Sequence, residues 1–320
     1  MIRKLKSFLD FDNGQHHMVD WSEYIYYGLF FSMLLSFLNN DTDGFYQIIV
    51  VLFFFVLAGL KESVGDLMRF IKRYPVVPAA TVIYAAYYFL NKTDPVSHRF
   101  PLVVLFVVFG GFCAAVNCEG ELDKIYGKLW MILFAFLLID IFTIKDKAPL
   151  YFKDPMLELS VIVFFGVLTF LYMDDNKMIL AGEGLIIFLG VMLFRSNEMH
   201  FERAWKVKKV LSAFSDGSLL HKFLGNGYLQ VKSNNTFAGM LAYYGIIAVV
   251  LLVFVIIYAL YLLITSKDKE LRKQSVLVVV TLLCSAFYPA FHLIDGAYLI
   301  FVEIGIFLGQ AAIVKDKGRR

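Results

Sequence analysis

Cysteine is scarce in this sequence: Cys113, Cys118 and Cys284 are the three among 320 residues. Their spacing is neither that of a metal-ligand set nor that of paired bridges, which excludes a disulfide framework and leaves ordinary buried thiols. Charge is scarce as well. With a charged fraction of 18% and a net charge of +3, nothing suggests nucleic-acid binding. No small-residue cleavage site follows the first apolar block near Tyr24, so that block reads as a retained span and not as a removable leader. Period-two alternation with short turns is missing, which excludes a β-barrel. What remains is apolar: 59% of residues are hydrophobic, 33 are Phe and 18 are Tyr, and the mean hydropathy is +0.69. A water-soluble core cannot hide that much apolar surface. The expected solvent is lipid.

A bilayer core about 30 Å thick is crossed by roughly 17 to 25 apolar helical residues. Ten blocks qualify, some only with their flanks: 23–39, 45–60, 75–91, 101–117, 126–143, 157–173, 178–194, 236–264, 276–294 and 297–314. The expected fold class is therefore an all-α integral membrane protein of about 10 transmembrane helices, a single polytopic domain over 1–320. Helices are expected because they alone satisfy their own backbone groups in lipid.

Placing the N-terminus inside puts 18 of the 30 Lys and Arg residues on cytoplasmic segments. Of the 12 outside, seven fall in one segment, 195–235. With that segment set aside the positive-inside bias is clear, and both termini are expected to be cytoplasmic. The second loop, KESVGDLMRFIKRYP, and the eighth, TSKDKELRKQ, are then basic topology anchors against anionic headgroups. Ionisable residues within spans, Asp140, Glu158, Glu183 and Glu303, are expected to face the bundle interior.

The exception carries the chemistry. Segment 195–235, the extracytoplasmic loop between the seventh and eighth spans, holds Arg195, Arg203, Lys206, Lys208, Lys209, Lys222 and Lys232 against Glu198, Glu202 and Asp216. A surplus of four positive charges on one face invites an anionic ligand. Within it RSNEMHFERAWKVKKVLSAF is expected to form a short surface helix, SDGS a turn, and Gly225-Asn226-Gly227 a loop whose glycines permit positive φ or close backbone approach. A third glycine and a preceding strand are lacking, so this is no nucleotide fingerprint.

The order Arg203, Trp205, Gly225-Asn226-Gly227, Ser233-Asn234-Asn235, then Tyr244-Gly245 inside a long span resembles the O-antigen polymerase and ligase superfamily of bacterial envelope glycosyltransferases. The resemblance covers residues 195–245. It implies a polymerase of surface polysaccharide in the bacterial inner membrane that uses undecaprenyl diphosphate-linked oligosaccharide as donor and a glycan as acceptor. Membrane lipids, a chain-length regulator and a flippase would be its partners, with no nucleic acid, cofactor or metal. Cleaving a glycosyl phosphate develops charge on the departing diphosphate, which arginine forks bind and stabilise. Arg203, Arg195 and Arg99 are the candidates for that role, with Asn234, Asn235, Gly225 and Gly227 beside them.

The family's His-Asn pair stands here as Asn234-Asn235, and an amide is no base. Glu202, His200 and His292 are the candidate catalytic groups in its place; Glu198, His221 and Asp295 are further outer-face residues able to move a proton. A ligase acting on a lipid-core acceptor is chemically adjacent, and a flippase for lipid-linked oligosaccharide is the alternative of another class. A flippase predicts repeated halves with broken helices, and no convincing repeat is seen. Asp41 and Asp43 in NNDTDGF have oxygen chemistry suited to a divalent cation, but the same residues make a tight turn.

Overall fold

The computed structural model of the chain describes residues 63–91, 95–117, 171, 199–227, 235–284 and 294–318. Among the described residues every regular element is an α-helix. In chain order these are α1 (Ser63–Arg73), α2 (Val76–Leu90), α3 (Pro95–Asn117), α4 (Met199–Ser215), α5 (Leu219–Leu224), α6 (Thr236–Thr265), α7 (Lys269–Cys284) and α8 (Ile294–Lys317). One of them, α6, is long and apolar enough to cross a membrane. The blocks predicted at 23–39, 45–60, 126–143, 157–173 and 178–194 lie outside the described residues or, at residue 171, only touch them.

The centre of the bundle is α8, buried at every position from Glu303 to Ile313. Its closest neighbour is α3, and two glycines set that closeness. A Cβ at Gly305 would sit 2.2 Å from the Val108 carbonyl oxygen, and one at Gly309 would sit 2.6 Å from the Ala115 Cβ. Small residues four apart let two helix backbones meet where side chains would hold them off. Glu303 is buried as expected (3% exposed), with Gln310 two turns further along the same face. The remaining walls are α7, packed on both α6 and α8, and α2, packed on α3.

The second loop is not a loop. α1 has one wet side and one packed side: Phe70 is fully buried with its ring against Phe112 (5.2 Å) and Phe109 (5.7 Å). Asp66 in the first turn and Lys72 and Arg73 in the last complement the helix dipole. Arg69 and Arg73 both donate to the carboxylate of Asp316 at the end of α8, and Arg73 also donates to the Ala312 carbonyl (3.1 Å). The Arg69 guanidinium, helped by Arg73, holds the Asp316 carboxyl below the usual carboxylate range against the opposing pull of burial. Two basic segments that charge counting assigns to one side of the membrane thus meet at one end of the bundle. The eighth loop likewise shortens into a helix start, the Asp268 side chain accepting from the Leu271 N–H at 2.8 Å.

α6 changes character partway. No residue from Thr236 to Gly245 is exposed, whereas Val250, Val253, Phe254, Ile257, Leu260, Tyr261 and Ile264 all are. Those exposed positions recur at three and four residues and leave an outer stripe that is apolar but for the Tyr261 hydroxyl. An apolar stripe of that length on a surface needs a partner other than water. Phe89, Leu90, Val82 and Ile83 continue the same kind of surface on α2.

Candidate functional site

The change in α6 has a local cause. Gly245 has φ 74° and ψ −173°, an extended left-sided conformation inside a helix that only glycine takes without strain. An interruption of this kind deprives the carbonyls of the preceding turn of their usual N–H donors. Those carbonyls are found and filled. Ala242 accepts from the Asn226 N–H (3.1 Å) and Tyr243 from the Gly227 N–H (3.0 Å). The loop after α5 is the C-terminal cap of the first half of α6.

The two backbones can approach this closely because glycine stands on both sides. A Cβ at Gly225 (φ 83°) would lie 2.0 Å from the Tyr243 carbonyl oxygen, and a Cβ at Gly245 would lie 2.3 Å from that of Phe223. Gly227 (φ 75°) completes the turn.

Three tyrosines of α2 finish the cap. Tyr84, Tyr87 and Tyr88 share one face by their three- and four-residue spacing. The Tyr84 hydroxyl donates to the Tyr244 carbonyl, with the Ala248 N–H beside it. A side chain thus stands in the interrupted 248-to-244 position of the ladder, a recognised cause of a helix kink. The Tyr87 hydroxyl donates to the Gly225 carbonyl (3.0 Å), and that of Tyr88 lies within reach of both Leu224 (2.9 Å) and Tyr243 (2.8 Å) carbonyls. The rings of Tyr84, Tyr88 and Tyr244 pack edge to face or stacked around the junction.

Asn226 ties in the surface helix, its side-chain amide donating to the Ala213 carbonyl near the end of α4 (3.2 Å). Ser218 opens α5: its hydroxyl oxygen accepts from the His221 N–H (3.3 Å) and lies 2.7 Å from the same residue's Nδ1. The His221 ring meets that of Tyr87 edge-on, 6.5 Å between centroids. Leu219, Leu220 and Phe223 of this short helix are exposed.

The sequence candidates fall as follows. Gly225 and Gly227 are buried in the cap, and the N–H groups of Gly225, Asn226 and Gly227 all donate to protein carbonyls (His221, Ala242 and Tyr243). The close approach that glycine permits here is to α6, and these three donors are already spent. Asn235 is the N-cap of α6, its side-chain oxygen accepting from the Ala238 N–H at 2.9 Å. His200, Glu202 and Arg203 lie in the first turns of α4, so a helix is present over the expected segment with them on it. Position 203 falls one turn before Val207 and two before Val210, and Val210 is fully buried. Arg99 lies near the start of α3. Arg195, Asn234 and His292 are outside the described residues, as are Asp41 and Asp43. Among the described residues no three His, Cys, Asp or Glu side chains converge as a metal site.

No family model, curated protein or solved structure matches this chain.

Tyr84, Tyr87 and Tyr88 are the residues that sequence reasoning missed. Their signal, YAAYY inside an apolar block, is a polar row in a helix that has no need of one.

Proposed function

We propose that this chain is a membrane-embedded glycosyltransferase, a bacterial surface polysaccharide polymerase of about ten spans with both termini in the cytoplasm. In this reading it transfers glycan from undecaprenyl diphosphate to a glycan acceptor at the outer face. One observation carries the reading: the Gly225-Asn226-Gly227 loop and Tyr244-Gly245, distant in sequence, are two halves of a single interlock. The resemblance named these pieces together, and their joint placement gives a physical reason for the pairing. The interlock anchors α5 and, through Asn226, the end of α4, the helix that carries Arg203.

Within this proposal the interlock is scaffold and the charges are machinery. Arg203, Arg195 and Arg99 hold the diphosphate and stabilise its departure. The acceptor hydroxyl gives its proton to Glu202, His200 or His292, since Asn234 cannot take it. His221, held by Ser218 beside the interlock, joins that set on position.

The test is deletion of the gene in its host with display of the surface glycan on a gel. Loss of the long ladder with a retained single-repeat band supports the polymerase. Unattached long polymer supports the ligase, and repeat units trapped at the inner face support the flippase. An unchanged ladder overturns all three.

A further inference from the structure

The end of the bundle opposite the interlock opens a cavity of about 420 Å³ between α2, α3, α6 and α8. Arg73 and Lys315 stand at one end of it, Ala80, Leu252 and Val255 wall it, and Met240 and Tyr244 close it beside the kink. Along α6 the lining runs from Tyr258 to Tyr244, fourteen residues, or about 21 Å at 1.5 Å per residue. Its polar atoms are turned to the protein: the Thr81 hydroxyl donates to the Val77 carbonyl, Tyr74 to Leu308 and Tyr84 to Tyr244. The bore is dry. Val76 and Phe254 belong both to its lining and to the exposed surface (57% and 63% exposed), so it opens sideways where the apolar face of α6 begins.

The charges at the mouth select the occupant. The charged residues of the lining are the cations Arg73 and Lys315, a surplus of two there, with Arg73 sharing the Asp316 carboxylate with Arg69. A fatty acyl chain alone would not need this mouth, and a zwitterionic headgroup would not use the surplus. An amphiphile with an anionic head and a long apolar chain satisfies both ends. We propose that the groove is a binding site for one anionic diacyl phospholipid, its phosphate at Lys315 and Arg73 and one acyl chain lying along α6 toward Tyr244. The site rests on the reading that these helices sit in a bilayer, and not on the glycan chemistry. Because Tyr244 ends the groove and is held in the interlock by its carbonyl, the acyl chain packs against the kink that fixes the loop.

The experiment uses the full chain purified in mild detergent, offered equal amounts of phosphatidylglycerol and phosphatidylcholine, with retained lipid read by native mass spectrometry. Phosphatidylglycerol is expected to be retained preferentially. Lys315→Gln, at an exposed position that leaves the fold intact, is expected to lower that retention about fivefold, the effect of one basic residue near an anionic headgroup, without changing retention of phosphatidylcholine. Ala80→Phe fills the bore and is expected to abolish one tightly held lipid while the basic mouth stays in place. Equal retention of the two lipids by the wild type, or indifference of phosphatidylglycerol to Lys315→Gln, overturns the proposal. So does displacement of phosphatidylglycerol by substoichiometric polyprenyl phosphate, which would make the groove a donor-lipid site. The glycan ladder is scored separately in the host, so a failed lipid site with an intact ladder phenotype refutes only this inference.

Discussion

Gly225→Ala is the sharpest perturbation of the interlock. The added methyl would lie 2.0 Å from the Tyr243 carbonyl oxygen and 2.4 Å from the Tyr244 nitrogen, both backbone atoms that no rotamer change can move. A φ of 83° with ψ 172° adds strain that alanine does not tolerate, about 1 to 3 kcal/mol for a residue held in such a region. Relief requires the loop to retreat from α6, which gives up the Asn226 and Gly227 N–H bonds at about 1 kcal/mol each. The combined cost is about 3 to 5 kcal/mol. The assay is thermal unfolding of the purified chain in detergent, where that cost corresponds to a fall in Tm on the order of 10 °C. Gly65→Ala is the control, because its Cβ meets nothing within 4 Å, and removing a helix-interior glycine is expected to stabilise by up to about 1 kcal/mol. A Gly225→Ala protein that melts with the wild type would refute the reasoning. Loss of the glycan ladder with an unchanged Tm would also refute it, by placing Gly225 against substrate instead of against α6.

Other variants probe the neighbouring contacts. Tyr88→Phe keeps the ring and removes the hydroxyl that serves Leu224 and Tyr243, and is expected to cost about 1 to 3 kcal/mol for a buried carbonyl left short of a donor, read in the same melting assay. Asp316→Asn is expected to lower Tm at neutral pH. Because Arg69 and Arg73 depress the folded-state pKa of this carboxyl, its contribution is complete above the unfolded value of about 3.9 and fades as pH falls through the folded value; the gap between variant and wild type should therefore close in acid. Gly305→Leu drives a side chain into the Val108 carbonyl and is expected to abolish the folded peak on size exclusion. Arg203→Ala is expected to abolish the polymer ladder at wild-type protein levels, with Arg203→Lys restoring part of it as a charge without the fork.

Long apolar runs declared themselves in the sequence. The blocks at 75–91 and 236–264 correspond closely to α2 and α6, and the surface helix in the basic segment corresponds to α4. The helix α1 was hidden because counting Lys and Arg registers charge and ignores the 3.6-residue period. That period sets Phe70 inward while Arg69 and Arg73 reach sideways to Asp316, more than 240 residues away. Its partners were not local, so no window of sequence contained them. The close crossing of α3 and α8 was legible in principle as Gly305 and Gly309 four residues apart. Their apolar setting makes that spacing easy to pass over.

The glycines of the 225–227 loop show why motif letters alone underdetermine a role. Permission for close approach does not say what approaches, and here the visitor is the backbone of α6. A helix interrupted where its backbone is buried must find donors for its released carbonyls inside the protein. Five carbonyls, those of Leu224, Gly225, Ala242, Tyr243 and Tyr244, are served by five donors: the Asn226 and Gly227 N–H groups and the hydroxyls of Tyr84, Tyr87 and Tyr88. The match explains both why α2 carries three tyrosines on one face and why the loop has glycine at its ends. Remove any member and a buried acceptor is left short, so the kink, the loop and the tyrosine row form one unit in which no part has a use without the others.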